Sequence, residues 1–208
     1  MPVSLSLQGA HSFLFREEEL RLLPGKALWW PKENMLVVSD VHLGKASHFR
    51  KNGISLPEQT NTDNLYRLAD LLVDLKPKTL LLLGDLFHSE INSEWAVFED
   101  FLLNFPKLEV ILVKGNHDIL PIEDFEKAGI EVVDALDRGP FRFVHEPVEE
   151  EEEGVYYIAG HIHPAVVLRG NARQRLRLAC FWWGKFQAIM PAFGYFTGSH
   201  RVKPKKGD

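Results

Sequence analysis

Short apolar blocks alternate with polar turns along this chain, and the spacing inside each block identifies its element. His11–Arg16 and Ala27–Trp30 are rich in β-formers, with a Pro24-Gly25 turn between them. Pro31-Lys32-Glu33-Asn34 makes a second turn into a strand over Met35–Ser39, and Gly44–Lys51 predicts a short helical turn. From Asp63 to Leu75, apolar residues at 65, 68, 69, 72 and 75 keep helical spacing, with Thr62 or Asp63 as the cap. Leu80–Leu83 is an unbroken apolar strand of the kind buried on both faces. Ser93 caps a second helix carrying Trp95, Val97, Phe98, Phe101 and Leu102, and Leu108–Val113 is the next buried strand. Pro121 opens a short helix that stops at Gly129, followed by a strand over Ile130–Val133.

This order is β-α-β-α-β-α-β, which implies parallel strands joined by right-handed helical crossovers. The pattern then turns mostly β. Phe141–Val144, Val155–Ala159 and Ala165–Arg169 are strand-like, while Arg175–Trp182 and Phe186–Ala192 predict a hairpin turning at Gly184-Lys185. Such a set fits an α/β fold of two sheets with helices outside. With no internal repeat and no long linker, residues 1–208 read as one domain, including a C-terminal hairpin at about 175–192 and a frayed tail at 202–208.

Composition adds limits. The chain is 45% hydrophobic and 25% charged, as in a soluble globular protein. A net charge of −5 argues against a wholly basic nucleic-acid-binding surface but leaves room for a local basic track. Glu149–Glu153 supplies five acids in one run, read as a solvated loop. The single cysteine, Cys180, can form neither an internal disulfide nor a thiolate metal site, and its apolar neighbours predict a buried, inert thiol. The N-terminus MPVSLSLQGAHSFLF lacks the features of a signal peptide, and no apolar run approaches the ~18 residues of a membrane helix. A cytoplasmic protein with no membrane partner is the expectation.

The candidate chemistry sits where the apolar strands end. Asp40-Val41-His42 follows the first of these strands, Gly84-Asp85 the second, and Gly115-Asn116-His117-Asp118 the third. His145 follows Phe141–Val144, and Gly160-His161-Ile162-His163 follows Val155–Ala159. Singly, an Asp can cap a helix and a Gly-Asn can turn a chain. Together, each of the five ends carries oxygen or imidazole donors, and six of the nine histidines lie in or beside these motifs. Loops at the carboxyl ends of strands in α/β sheets gather at one crevice. Nitrogen and oxygen donors without sulfur suit Mn, Fe or Zn. Seven candidate ligands are too many for one ion with an open site and suit two ions ~3.5–4 Å apart that share a carboxylate.

The order Asp-x-His, Gly-Asp, Gly-Asn-His-Asp, His, Gly-His-x-His resembles that of the calcineurin-like metallophosphoesterases. The segments SDVHLGKASHFRKNGISLP (39–57), GDLFH (84–88), FVHEP (143–147), AGHIHPAV (159–166) and LACFWWGKFQAIMPAFGYFTG (178–198) resemble the bacterial DNA-ligase-associated type in particular. The resemblance implies a four-layer α-β-β-α sandwich of two mixed sheets. It also implies two divalent ions, Mn2+ first, with Zn2+ or Fe as alternatives. Asp40, His42 and His163 would bind one ion, Asn116, His145 and His161 the other, and Asp85 would bridge. His117 would face the substrate as proton donor, with Asp118 orienting its loop.

Substrate class is read from the surroundings. Lys45, His48, Arg50 and Lys51 follow the first motif, and Arg169, Arg173, Arg175 and Arg177 form a second basic stretch. Lys45 and Arg50 are candidate contacts to phosphates flanking the scissile one. His88 stands where many phosphatases of the superfamily carry an Asp, and it is a candidate for favouring diesters beside His117. The resemblance implies a nuclease or phosphodiesterase acting on single-stranded or damaged DNA, associated with DNA ligase, helicase and exonuclease in repair. The residues alone support phosphoester hydrolysis, leaving a small nucleotide-like substrate or a binding scaffold as rivals.

Overall fold

The computed structural model describes residues 5–43, 59–87, 93–171, 173–195 and 197–203. The strands are β1 His11–Phe15, β2 Glu18–Leu23, β3 Ala27–Trp30, β4 Met35–Ser39, β5 Thr79–Leu83, β6 Glu109–Val113, β7 Ile130–Val133 and β8 Leu136–Arg138. They continue with β9 Phe141–Phe143, β10 Tyr156–Ala159, β11 Pro164–Arg169, β12 Arg175–Ala179, β13 Trp182–Trp183, β14 Gln187–Ile189 and β15 His200–Arg201. The α-helices are α1 Gln59–Leu75, α2 Ser93–Leu103 and α3 Ile122–Lys127.

Strands β4 to β7 run parallel in sequence order, and β1 to β3 extend the same sheet antiparallel, giving the order β1-β2-β3-β4-β5-β6-β7. Because the parallel strands step one way, right-handed crossovers put all three helices on one face. There Leu36, Val38, Leu80, Leu82 and Leu112 share a core with Leu68 and Leu72 of α1, Phe98 of α2 and Phe125 of α3. The alternate residues Val37, Leu81, Leu83, Ile111 and Val113 pack on the other face against Phe141, Phe143, Tyr156 and Ile158 of a second sheet. Burial on both faces is why these strands read as unbroken apolar runs, each buried Leu contributing about 1.5–3 kcal/mol.

The second sheet has the order β13-β14-β10-β9-β8, and a third, small sheet has the order β12-β11-β15. The expected sandwich of two mixed sheets is present, with the three described helices on the outer face of the first sheet. Among the described residues, no helix lies beyond the second sheet. Its parallel pair β9 and β10 is joined by the acidic loop, and β10 reaches β14 through β11 to β13. The loop folds back on the outer face instead. Glu152 accepts hydrogen bonds from Tyr157 and Arg142, and Glu151 pairs with Lys185.

Several expected boundaries shift. Helix α1 begins at Gln59, so Thr62 and Asp63 lie inside it; its polar first turn has no apolar residue to reveal it. Strand β2 went unseen because its hairpin turns on Arg16-Glu17, both at positive φ (49° and 65°), without the Asn or Gly that marks such turns. The C-terminal hairpin does turn at Gly184, whose N–H donates to the Gln187 carbonyl, but only Trp182–Trp183 pair across it. Arg175–Ala179 instead pairs with β11 in the third sheet, because the chain leaves the strand at Cys180-Phe181. That hairpin is exposed, so Cys180 is half-buried rather than buried, with partial burial raising its thiol pKa. The expected helical turn at Gly44–Lys51 lies outside the described residues.

Candidate metal centre

The registers of the parallel strands fix where their loops begin. Ser39 pairs with Leu83 and Leu83 with Val113, so β4, β5 and β6 end level with one another. The next residues, Asp40, Gly84-Asp85 and the 115–118 loop, therefore emerge side by side. In the second sheet, Phe143 pairs with Ile158, which levels the loops carrying His145 and His161. The sheets join here: Phe193 and Gly194 donate backbone hydrogen bonds to the carbonyls of Ser39 and Asp40.

Five site residues leave their strands in the left-handed region, at φ 53° for Asp40, 52° for His42, 49° for Asp85, 67° for His161 and 54° for His163. This conformation is uncommon for residues other than glycine and costs roughly 1–3 kcal/mol each. The surrounding hydrogen bonds hold it: the backbone N–H of His42 donates to the Asp85 carbonyl, and that of His161 to the Asp40 carboxylate.

Two donor groups result. Asp40, His42 and His163 place ligand atoms within 4.8 Å of one another, as do Asp85, His145 and His161. In the first group, His163 Nε2 is 3.2 Å from Asp40 Oδ1 and 3.4 Å from His42 Nε2. In the second, His145 Nε2 is 3.2 Å from His161 Nδ1, and Asn116 Oδ1 lies 3.0 Å from the same His145 nitrogen. Asp85 stands between the groups. Its Oδ1 is 3.4 Å from His145 Nε2, and its Oδ2 is 3.9 Å from His42 Nε2.

Neighbouring backbone groups orient these donors. His163 Nδ1 lies 2.9 Å from the Gly198 carbonyl and His145 Nδ1 lies 3.4 Å from the Leu83 carbonyl, leaving Nε2 of each ring turned into the site. The backbone N–H of His161 donates to Asp40 Oδ2 at 3.0 Å, and that of His117 donates to Asp85 Oδ1 at 2.9 Å. Burial opposes ionisation of Asp40, but His163 and the Ser39 hydroxyl hold its pKa below the ordinary value. Asp118 serves the loops rather than the donor groups. Its carboxylate accepts N–H bonds from Gly115 (2.8 Å), Leu86 (2.8 Å) and Phe87 (3.1 Å), while burial pushes its pKa up to about 6.

The residues fit a pair of divalent cations. The donors are oxygen and imidazole nitrogen, and Asp40 and Asp85 are buried without a Lys or Arg partner among the described residues. Glycines keep the space open. A Cβ at Gly84 would lie 1.9 Å from His145 Nδ1, and one at Gly160 would lie 2.0 Å from Ser39 Oγ and 2.7 Å from Asp40 Oδ2.

His117 is half-buried, its ring centroid 6.1 Å from that of His42. His88, Lys45 and Arg50 lie outside the described residues. Two supporting residues escaped the sequence reading. Asn64 on α1 is buried; its side chain donates to the Val41 carbonyl (3.4 Å) and accepts from the Tyr195 N–H (3.2 Å). Arg67, one turn on, stacks over Phe193 and Tyr195 and donates to the Phe193 carbonyl. No local signal marks either residue, since both act on segments distant in sequence.

Comparison with known proteins agrees with this geometry. A search of curated protein sequences returned no match. Among solved structures, the Pseudomonas putida nuclease MPE is 35% identical, with 94% of this chain and 92% of that one covered and a TM-score of 0.81. YfcE, a phosphoesterase from E. coli, is 13% identical over 80% of this chain and 83% of that one, with a TM-score of 0.45. AQ665 from Aquifex aeolicus, a protein of unknown function, is 21% identical over 62% of this chain and 78% of that one, also at 0.45. These last two superpose too loosely to bear on function. The model of the calcineurin-like phosphoesterase family matches residues 34–179, which span every strand-end motif described above. With donors of the right chemistry converging at those strand ends, the chain belongs to the calcineurin-like phosphoesterase family and is a metal-dependent phosphoester hydrolase.

Proposed function

We propose that the protein is a two-metal phosphodiesterase that cleaves DNA, single-stranded or damaged. The observation that carries this reading is Asp85, whose two carboxylate oxygens face the two donor groups. In this reading Asp40, His42 and His163 hold one cation, Asn116, His145 and His161 hold the other, and Asp85 bridges. Two such cations, Mn2+ foremost, acidify water and offset charge on phosphoryl oxygens when bound. The chain's own contribution is positional. The Asp85 carboxylate is fixed by the His117 N–H, and Asp118 fixes the 115–118 loop against the segment after β5. His117 donates the proton to the departing oxygen. Lys45 and Arg50 bind flanking phosphates, and His88 beside His117 favours diesters.

DNA as substrate is supported by the 35% identity to a protein described as a nuclease. The resemblance to the ligase-associated type adds repair, in company with DNA ligase, helicase and exonuclease, as the setting; a cytoplasmic location goes with that reading. Metal analysis together with divalent-dependent hydrolysis of bis-p-nitrophenyl phosphate, single-stranded DNA and double-stranded DNA tests the reading. Hydrolysis of the small diester and of single-stranded DNA with Mn2+ is the expected result; no hydrolysis with any divalent metal overturns it. His117→Asn retains metal and loses about 10²–10⁴-fold in turnover. Lost metal with unchanged turnover would remove His117 from its role.

A further inference from the structure

The third sheet separates its residues by chemistry. Arg169 pairs with Arg175, Val167 with Arg177, and Ala165 with both Ala179 and Arg201. Directly paired residues share a face and every second residue returns to it, so Arg169, Arg175, Arg177 and Arg201 stand on one face. All four are exposed, and none forms an ion pair with a described residue. No Asp or Glu occurs in β11, β12 or β15.

Beside β15 lies a cleft of about 680 Å3, lined by Ile162, Trp182, Lys185, Phe186, Arg201 and Lys203 among others. Ile162 lies between His161 and His163, so the cleft borders the segment that carries two of the site's imidazoles. Arg201 both lines the cleft and stands on the arginine face, which makes the two surfaces continuous. Lys185 is paired with Glu151, leaving Arg201 and Lys203 as the cleft's cations without an acidic partner among the described residues. Unpaired bases stack on aromatic side chains while cations follow the phosphates, the combination that single strands need.

We infer that this cleft and the arginine face together form a track for single-stranded DNA leading away from the metal centre. Trp182 and Phe186 offer stacking surfaces near the scissile bond, and Arg201, Arg177, Arg175 and Arg169 follow the backbone outward. The inference rests on the phosphodiesterase reading for the identity of the substrate.

Binding of a fluorescent, phosphorothioate-linked single strand of about 20 nucleotides to the full chain tests it by anisotropy across salt concentrations. The variant carrying Arg175→Gln, Arg177→Gln and Arg201→Gln should bind tenfold or more weakly at ~0.1 M salt. Its slope of log affinity against log salt should fall by about 2, at ~0.7 per phosphate contact on a single strand. Trp182→Ala should weaken binding about tenfold and leave the slope in place. Lys107→Gln, an exposed cation at the amino end of β6, should change neither. If the triple variant melts early, Arg175→Gln and Arg177→Gln taken singly should each lower the slope by ~0.7.

An unchanged slope overturns the track. Equal affinity for duplex and no effect of Trp182→Ala overturns its preference for single strands. Wild-type protein that binds the strand but hydrolyses no diester refutes the catalytic reading and leaves the track standing. Active wild-type protein with unchanged slopes in the variants does the reverse.

Discussion

At Gly84 the chain has no room for a methyl group. The residue sits at φ 72°, and a Cβ there would fall 1.9 Å from the His145 ring. Gly84→Ala should cost about 2 kcal/mol or more in urea denaturation and weaken Mn2+ binding in calorimetry, because His145 must move. Gly129 supplies the comparison. It has φ 78° but nothing within 4 Å of its missing Cβ, so Gly129→Ala should cost ~1 kcal/mol and leave Mn2+ binding alone. Equal metal affinities in the two variants would refute the steric account. At this scale the sequence was informative. Asp40, His42, Asp85, Asn116, His145, His161 and His163 were legible from residue type and spacing, and the structure brings them together. The glycines beside them read only as turns, because what they make room for comes from other strands.

Among the elements, α1 illustrates what spacing cannot convey. Its apolar stripe was readable, but Asn64 and Arg67, which fasten Val41 and the 193–195 segment, looked like ordinary polar positions. Asn64→Ala leaves the Val41 carbonyl and the Tyr195 N–H without their partner. It should destabilise the fold by about 1–3 kcal/mol and weaken Mn2+ binding, since Asp40 and His42 flank Val41. Intact metal affinity would restrict Asn64 to a structural role. In the β2–β3 hairpin, Glu18 is buried and accepts from Lys32 and from Trp30 Nε1. The Lys32 hydrogen bond, opposed by burial and aided by Trp30, lowers the Glu18 pKa. A lowered carboxylate pKa stabilises the fold fully above the unfolded value of ~4.3 and is lost as pH falls through the folded one. The melting-temperature advantage of wild type over Glu18→Gln should therefore be full at neutral pH and shrink below ~pH 4. An advantage that grows on acidification would contradict this assignment.

For the whole molecule, convergence is the governing fact. Two buried carboxylates and four imidazoles meet where two sheets abut, an arrangement that only the folded chain possesses. Cations that bind there stabilise by about 2.7 kcal/mol at a hundredfold excess over Kd. At ~2–4 °C per kcal/mol for a domain of this size, EDTA should lower the melting temperature by ~5–10 °C, and Mn2+ should restore it. A melting temperature indifferent to every divalent metal would contradict the proposed two-cation site. The sequence by itself determined the parallel βα order, the buried strands and which residues stand at the strand ends as candidate donors, because periodicity and strand-end chemistry are local. The tertiary structure brings those candidates into two groups beside Asp85, a division that the family resemblance implied but local spacing does not encode, since it depends on two sheets meeting at one level. It also decided that the second sheet's outer face carries an acidic loop rather than a described helix. Finally, it moved Arg175–Ala179 into a third sheet whose arginines share one face. Each of these depends on strand partners far apart in sequence, which local spacing does not encode.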